Sequence, residues 1–369
     1  MAKIILVSKT ITATSWQLAL ALKAQQHDVV VLTSYKEEPL GSSQGIQFMA
    51  YFKKWSFAEG LKIIPGLFGL QPQILHLLLD EDKMSPAQIV LSGFARSHPT
   101  CVLTTSLLFI RKRLSRLNPV RYLIEESDII TCPTVESLGY IRGLNVREHQ
   151  QGRGILPPVL DLSSSTYKED TYLDELAEVE DFTSRPYIVV PFREEKFTPF
   201  ANHFHRLLKI NQKYRVILWG SFDGWSLRQR KKFAQWMDEH QGKGWLITSQ
   251  LTQAQTQYLL GKAEALYLAG QALSPVEVTD YYMKAISAHA VMILDSRQTK
   301  VHGDLWKNAH NCWVLRWDAM SEDLEKVLLK ANLKVPEDVA DKLAEDRHLI
   351  DSSLNELNRL YNRALNHLR

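Results

Sequence analysis

The sequence predicts an α/β protein made of two consecutive, doubly wound halves, and three observations carry that expectation. Short apolar runs bounded by polar turns recur along the chain, the pattern of parallel strands buried on both faces. Helical segments separate these runs, so the order is strand, helix, strand, which implies right-handed crossovers onto a parallel sheet. The rhythm breaks once, at an acidic stretch over residues 161–184, and then resumes.

In the first half, residues 1–160, Lys3–Val7 reads as a strand, Ser15–Ala24 as a helix and Asp28–Thr33 as a second strand. Ile74–Leu79 and Thr100–Thr104 continue the series, and the rhythm persists around Asp128–Pro133 and Gly154–Pro158. The connection that follows has Lys168 as its only base between Asp161 and Asp181. In the second half, residues 185–349, strands are expected at Tyr187–Pro191, Val216–Trp219, Trp245–Thr248, Ala265–Leu268, Val291–Leu294 and Cys312–Leu315. The end of the chain is helical, with Leu343, Ile350, Leu354, Leu357, Tyr361 and Leu368 on one stripe. Residues 350–369 either cross back to the first domain or cap the second.

The order and spacing of several segments resemble the GT-B glycosyltransferases, specifically the large retaining family that uses nucleotide sugars. QQHDVVVLT (Gln25–Thr33), PQILHL (Pro72–Leu77) and ESDIITCPTVESLGYIRGLNV (Glu126–Val146) are similar to first-domain segments of that family. GILPPVLDLS (Gly154–Ser163) matches its approach to the linker, and VILWGSFDG (Val216–Gly224) its donor-domain strand and glycine turn. AEALYLAGQALSPVEVTDYYMKAISAHAVMILD (Ala263–Asp295) resembles its donor-binding strand, loop, helix and strand. The resemblance implies two Rossmann-like domains facing a cleft, with a nucleotide-sugar donor on the second and a glycan or lipid-linked acceptor on the first. It implies no metal and no other cofactor.

The departures from the family pattern matter equally. The loop after the first strand, KTITATS, lacks the usual glycine pair. Where the family carries two glutamates, this chain has Val276 and Lys284. A catalytically inactive binding or scaffold protein of the same fold is therefore the alternative to an active transferase.

Candidate residues follow from position. A helix N-terminus at Ser274, just after a strand, presents unpaired N–H groups to a phosphate. Glu277 either contacts a sugar or ribose hydroxyl, or closes a capping box with Ser274 around Pro275; the capping form is the better fit. Lys284 faces either donor phosphates or solvent. Arg193 and Lys196 can stabilise a leaving diphosphate, although Glu194 and Glu195 beside them also suit a surface ion-pair cluster. Gly220 and Ser221 suit close approach to the nucleotide, with Trp219 either stacked on a base or packed in the core, and the resemblance puts Ser249 and Gln250 at the base edge. In the first domain, His76 and Asp80 end a strand and are candidates for acceptor contact and catalysis.

A basic-aromatic surface is the last motif. Lys53, Lys54, Trp55 and the apolar residues up to Leu70, with Arg111, Lys112 and Arg113, suit an anionic membrane surface. A loop over the sheet with solvated lysines fits the same residues. A net charge of +3 over 369 residues is too small to indicate nucleic acid. Cys101, Cys132 and Cys312 are odd in number and without CxxC spacing, so buried thiols are expected rather than disulfides or structural zinc. MAKIILVSK turns polar by Ser8, too early for a signal-peptide core, and no apolar run reaches spanning length. These features predict a cytoplasmic protein, either free or peripheral on the inner face of the cell membrane.

Overall fold

The computed structural model of the chain describes residues 1–35, 45–79, 84–108, 118–142, 152–156, 186–191, 214–220, 226–239, 244–247, 253–271, 273–288, 290–301, 306, 312–316, 320–329 and 348–367. The expected acidic connection lies outside them. The chain divides into two compact units. The first comprises Met1–Asp161, Ser274–Asp280 and Arg347–Arg369; the second comprises Leu162–Leu273 and Tyr281–Asp346.

The first unit holds a seven-stranded sheet in the order β3-β2-β1-β4-β5-β6-β7. Its strands are β1 (Lys3–Val7), β2 (Asp28–Ser34), β3 (Gln47–Phe52), β4 (Ile74–Leu79), β5 (Val102–Leu107), β6 (Ile129–Cys132) and β7 (Gly152–Ile155). Every pairing is parallel. Side chains alternate between two cores, as period two demands. Ile5, Val7, Leu75 and Leu77 face one layer, formed by α2 (Phe57–Leu70), α3 (Pro86–Ser97), α4 (Pro119–Glu126) and α5 (Val135–Arg142). Ile4, Leu6, Ile74 and Leu78 face the other, formed by α1 (Ala13–Ala24) and the C-terminal helix His348–His367.

The second unit holds a six-stranded parallel sheet, ordered β10-β9-β8-β11-β12-β13. These are β8 (Tyr187–Pro191), β9 (Arg215–Trp219), β10 (Gly244–Ile247), β11 (Ala265–Tyr267), β12 (Met292–Asp295) and β13 (Trp313–Leu315). Its helices among the described residues are α6 (Leu227–Asp238), α7 (Gln253–Gly261), the part of α8 (Pro275–Ser287) from Tyr281 onward, and α9 (Met320–Leu329); the first part of α8 belongs to the first unit, as does the C-terminal helix, α10. In each sheet the strand order reverses beside its first strand, β1 or β8. The carboxyl ends of the strands at such a reversal are where open α/β sheets bind ligands.

Two local features differ from the sequence expectation. Residues 52–70, expected as a surface or loop segment, contain the 14-residue helix α2, and β3 precedes them. Pro65 and three glycines conceal the helical signal, while a capping box starts it: the Glu59 N–H donates to Ser56 Oγ and the Glu59 carboxylate accepts from the Ser56 N–H. Gly60 is where α2 meets α3, since a Cβ there would lie 2.9 Å from Val90 Cβ.

Helix α10 crosses back onto the first unit. Leu354, Leu357, Leu360, Tyr361 and Ala364 complete the core beside α1. The contact depends on glycine in β7: a Cβ on Gly152 or Gly154 would come within 2.8 or 2.9 Å of the Leu360 side chain. Sequence periodicity finds the apolar stripe of this helix, but only the sheet shows which glycines receive it.

Candidate functional site

At the carboxyl edge of the second sheet, the loops after β11 and β12 are held together by a buried carboxylate. Asp295, fully buried, ends β12. Its Oδ1 accepts the Arg297 and Gln298 N–H groups at 2.8 and 3.2 Å. Its Oδ2 accepts the Gly270 N–H at 3.0 Å and the Arg297 guanidinium at 2.9 Å. Gly270 adopts φ 80°, a left-handed geometry that glycine takes without strain. Gln298 completes the lacing: its Nε2 donates 2.6 Å to the Leu268 carbonyl and its Oε1 accepts the Asp295 N–H at 3.0 Å. Sequence reasoning missed both Asp295 and Gln298. The available signal was an aspartate closing an apolar strand with polar residues after it, the mark of an Asx turn. Asp295→Asn, which replaces the charge-assisted acceptor, is expected to cost about 2 kcal/mol. Urea unfolding followed by tryptophan fluorescence measures this, and an unchanged midpoint would reject the bracing role.

Helix α8 follows the β11 loop. The Ser274 N–H donates to Glu277 Oε2 at 2.6 Å, and the Glu277 N–H donates to Ser274 Oγ at 3.3 Å. That is the capping box, with Pro275 at the first helical position. The geometry therefore gives Glu277 a helix-starting role through Oε2. Val276, at the family's first glutamate position, is 5% exposed in the first unit's apolar core, so it presents no polar group.

Lys284 sits lower on α8. Its ammonium lies 5.2 Å from the Trp219 ring centroid and 5.7 Å from that of Tyr281. Tyr281 also meets Trp219 edge-on at 6.1 Å. Trp219 closes β9, immediately before the half-buried Gly220. Lys284, Trp219 and Gly220 thus gather at the carboxyl edge of one sheet. Ser221, Arg193, Lys196, Ser249 and Gln250 lie outside the described residues.

In the first unit the structure corrects the expectation for His76. Rather than presenting an exposed ring, His76 is fully buried between the sheet and α10. Its Nδ1 is 2.6 Å from the Tyr361 hydroxyl and its Nε2 is 2.6 Å from Ser106 Oγ, which lies 2.6 Å from Thr131 Oγ1. Strand alternation puts His76 on the face that α10 covers, and removal from water pushes its pKa down to about 3. It is a structural histidine. His27, on the same face, is 2.9 Å from Asn358 of α10 through Nε2. Asp80 lies outside the described residues.

Trp55 is corrected likewise. It is 7% exposed, stacks on Phe52 at 4.1 Å, and donates its indole N–H to Ser34 Oγ at 2.8 Å. A large ring with a satisfied N–H belongs to the core. Lys53 and Lys54 are exposed, and Arg111, Lys112 and Arg113 lie outside the described residues. The three cysteines are buried and free, with burial pushing each thiol up to about 12. Among the described residues no cluster of His, Cys, Asp and Glu suits a metal ion, and no helix is long and apolar enough to cross a membrane.

No family model matches the sequence, and no curated protein matches it significantly. Solved structures do match the fold. Anabaena Alr3699/HepE in complex with UDP-glucose superposes with a TM-score of 0.69 at 11% identity, over 98% of this chain and 100% of that one. The catalytic domain of starch synthase IV from Arabidopsis thaliana, bound to ADP and acarbose, gives 0.64 at 11% identity over 99% of both chains. WaaG, a glycosyltransferase involved in lipopolysaccharide biosynthesis, gives 0.60 at 10% identity, also over 99% of both. At such identities the likeness establishes the architecture: this chain has the GT-B glycosyltransferase-like fold.

Proposed function

We propose that the protein is a nucleotide-sugar-dependent glycosyltransferase that delivers a sugar to a glycan or lipid-linked acceptor. The observation that carries this reading is the end-to-end match, over 98% of the chain, to a two-domain fold solved elsewhere with UDP-glucose. The donor's diphosphate would lie at the α8 N-terminus, where Ser274 precedes the first turn and the dipole favours anions. Gly220 and Ser221 would approach the nucleotide, Ser249 and Gln250 its base edge. Arg193 and Lys196 would stabilise the leaving diphosphate in the place of a metal ion; retention of the anomeric configuration rests on the family resemblance alone. Asp80 is the remaining first-unit candidate for acceptor contact, since His76 is enclosed.

A second reading, a binding or scaffold protein without transfer, is favoured by one set of contacts. Glu277 is engaged in a capping box, Val276 is in the core and Lys284 lies over Trp219. A thermal-shift panel of UDP, GDP, ADP and their sugars tests both. A ligand at a hundred times its dissociation constant adds about 2.7 kcal/mol and raises the melting temperature by a few degrees. No response to any of them would reject the transferase reading and leave the scaffold. Binding followed by slow donor hydrolysis or transfer that EDTA leaves unchanged supports the enzyme; binding with no turnover supports the scaffold.

A further inference from the structure

We propose that helix α2 docks the protein onto an anionic lipid bilayer. The helix has two unlike apolar faces. Gly60, Ile63 and Leu67 are buried against the sheet and α3. A second set is more than half exposed: Phe57 is 56% exposed, Leu61 52% and Phe68 53%, the last with one edge of its ring against Phe94 of α3 at 5.2 Å. Steps of four and seven residues align these three along one side of the helix, and exposed Pro65 falls in the same row. Isolated exposed apolar side chains are ordinary, but an aligned row on one helix marks an interaction surface.

Charge identifies the occupant. Lys53, Lys54 and Lys62 are exposed around this row, and Glu59 is the only acid between residues 53 and 70. That acid is turned inward to its own backbone. Its Oε1 accepts the Lys53 N–H, and its Oε2 accepts the Lys54 and Ser56 N–H groups, each at 3.1 Å. Desolvation alone would raise the Glu59 pKa, but these donors outweigh it and hold the carboxyl below its usual range, so it stays ionised and engaged. Tyr35, 60% exposed with the Lys53 ammonium 4.9 Å from its ring centroid, extends the edge with an aromatic suited to the headgroup layer. An apolar row flanked by lysines matches a surface with acyl chains below and negative headgroups above. Docking requires no sugar chemistry and stands independently of the transferase reading.

The test is flotation of the full-length protein with liposomes of phosphatidylcholine containing 30% phosphatidylglycerol, against pure phosphatidylcholine. The protein is expected to float with the anionic vesicles only, and recovery should fall when sodium chloride is raised from about 0.1 to 0.5 M. The variant L61S/F68S should remain in the dense fraction. K53Q/K54Q/K62Q should bind more weakly by roughly fivefold per lysine, about a hundredfold together. Circular dichroism melts establish that each variant is folded; should L61S/F68S fail to fold, the lysine variant, altered only at exposed positions, decides. Failure of the wild type to float, equal recovery with neutral vesicles, or binding unaffected by either variant would overturn the proposal. So would a dimer in gel filtration that L61S/F68S converts to monomer, which would make the row an interface between copies.

Discussion

A chain ending at Arg347 is expected to lose cooperative folding of its first unit. Helix α10 contributes Leu354, Leu357, Leu360, Tyr361 and Ala364 to a core that also holds Ile4, Leu6, Val29 and Ile74. Removing even one buried leucine typically costs about 2–5 kcal/mol, so losing the three leucines and the tyrosine reaches the total stability of an ordinary domain, about 5–15 kcal/mol. The loss would also uncover His76 and the glycines of β7, which meet Tyr361 and Leu360 of this helix. Hydrogen exchange should show β1, β4 and β5 unprotected in the truncated chain. Leu357→Ala, in the intact chain, should lower stability by about 2–5 kcal/mol. A truncated chain that melts within a few degrees of the full-length protein would show that α10 merely rests on the sheet.

Acid should destabilise the same interface through His76. Burial lowers its folded-state pKa from the ordinary 6.5 to about 3. Below pH 6.5 the unfolded chain takes up a proton that the folded chain refuses, so stability rises with pH across this range. The contribution is fully present above pH 6.5 and is lost progressively toward pH 3, at roughly 1.4 kcal/mol per pH unit at its steepest. In the tautomer with Nε2 protonated, the Tyr361 O–H donates to Nδ1 and Nε2–H donates to Ser106 Oγ, so the neutral ring satisfies both neighbours. Urea midpoints at pH values from 8 to 4 measure the slope. His76→Gln should flatten the difference attributable to this group while carboxylates elsewhere continue to titrate. Identical slopes in the two proteins would remove His76 from the acid response.

The legibility of the candidate site differed sharply from residue to residue. The capping box at Ser274 and Glu277 was readable because it depends on residues three apart on one chain segment, as the hydrogen bonds bear out. His76 and Trp55 were misjudged because their environments are made by distant segments: Tyr361 lies 285 residues from His76, and Ser34 lies 21 residues from Trp55. Asp295 escaped notice for a related reason. A carboxylate bridging two loops after different strands has no spacing to betray it.

The parallel strands, the helices between them and the apolar stripe of α10 were written in local periodicity. Burying one face of each element requires apolar residues at period 2 or 3.6, whatever lies opposite. Helix α2 escaped that logic, because its second apolar row violates the rule that one face meets water. Which polar side chains are enclosed, which carboxylate braces the loops and which apolar row stays exposed were decided only when the elements packed. Burial is a property of the assembled neighbours, and a single residue's chemistry does not contain it.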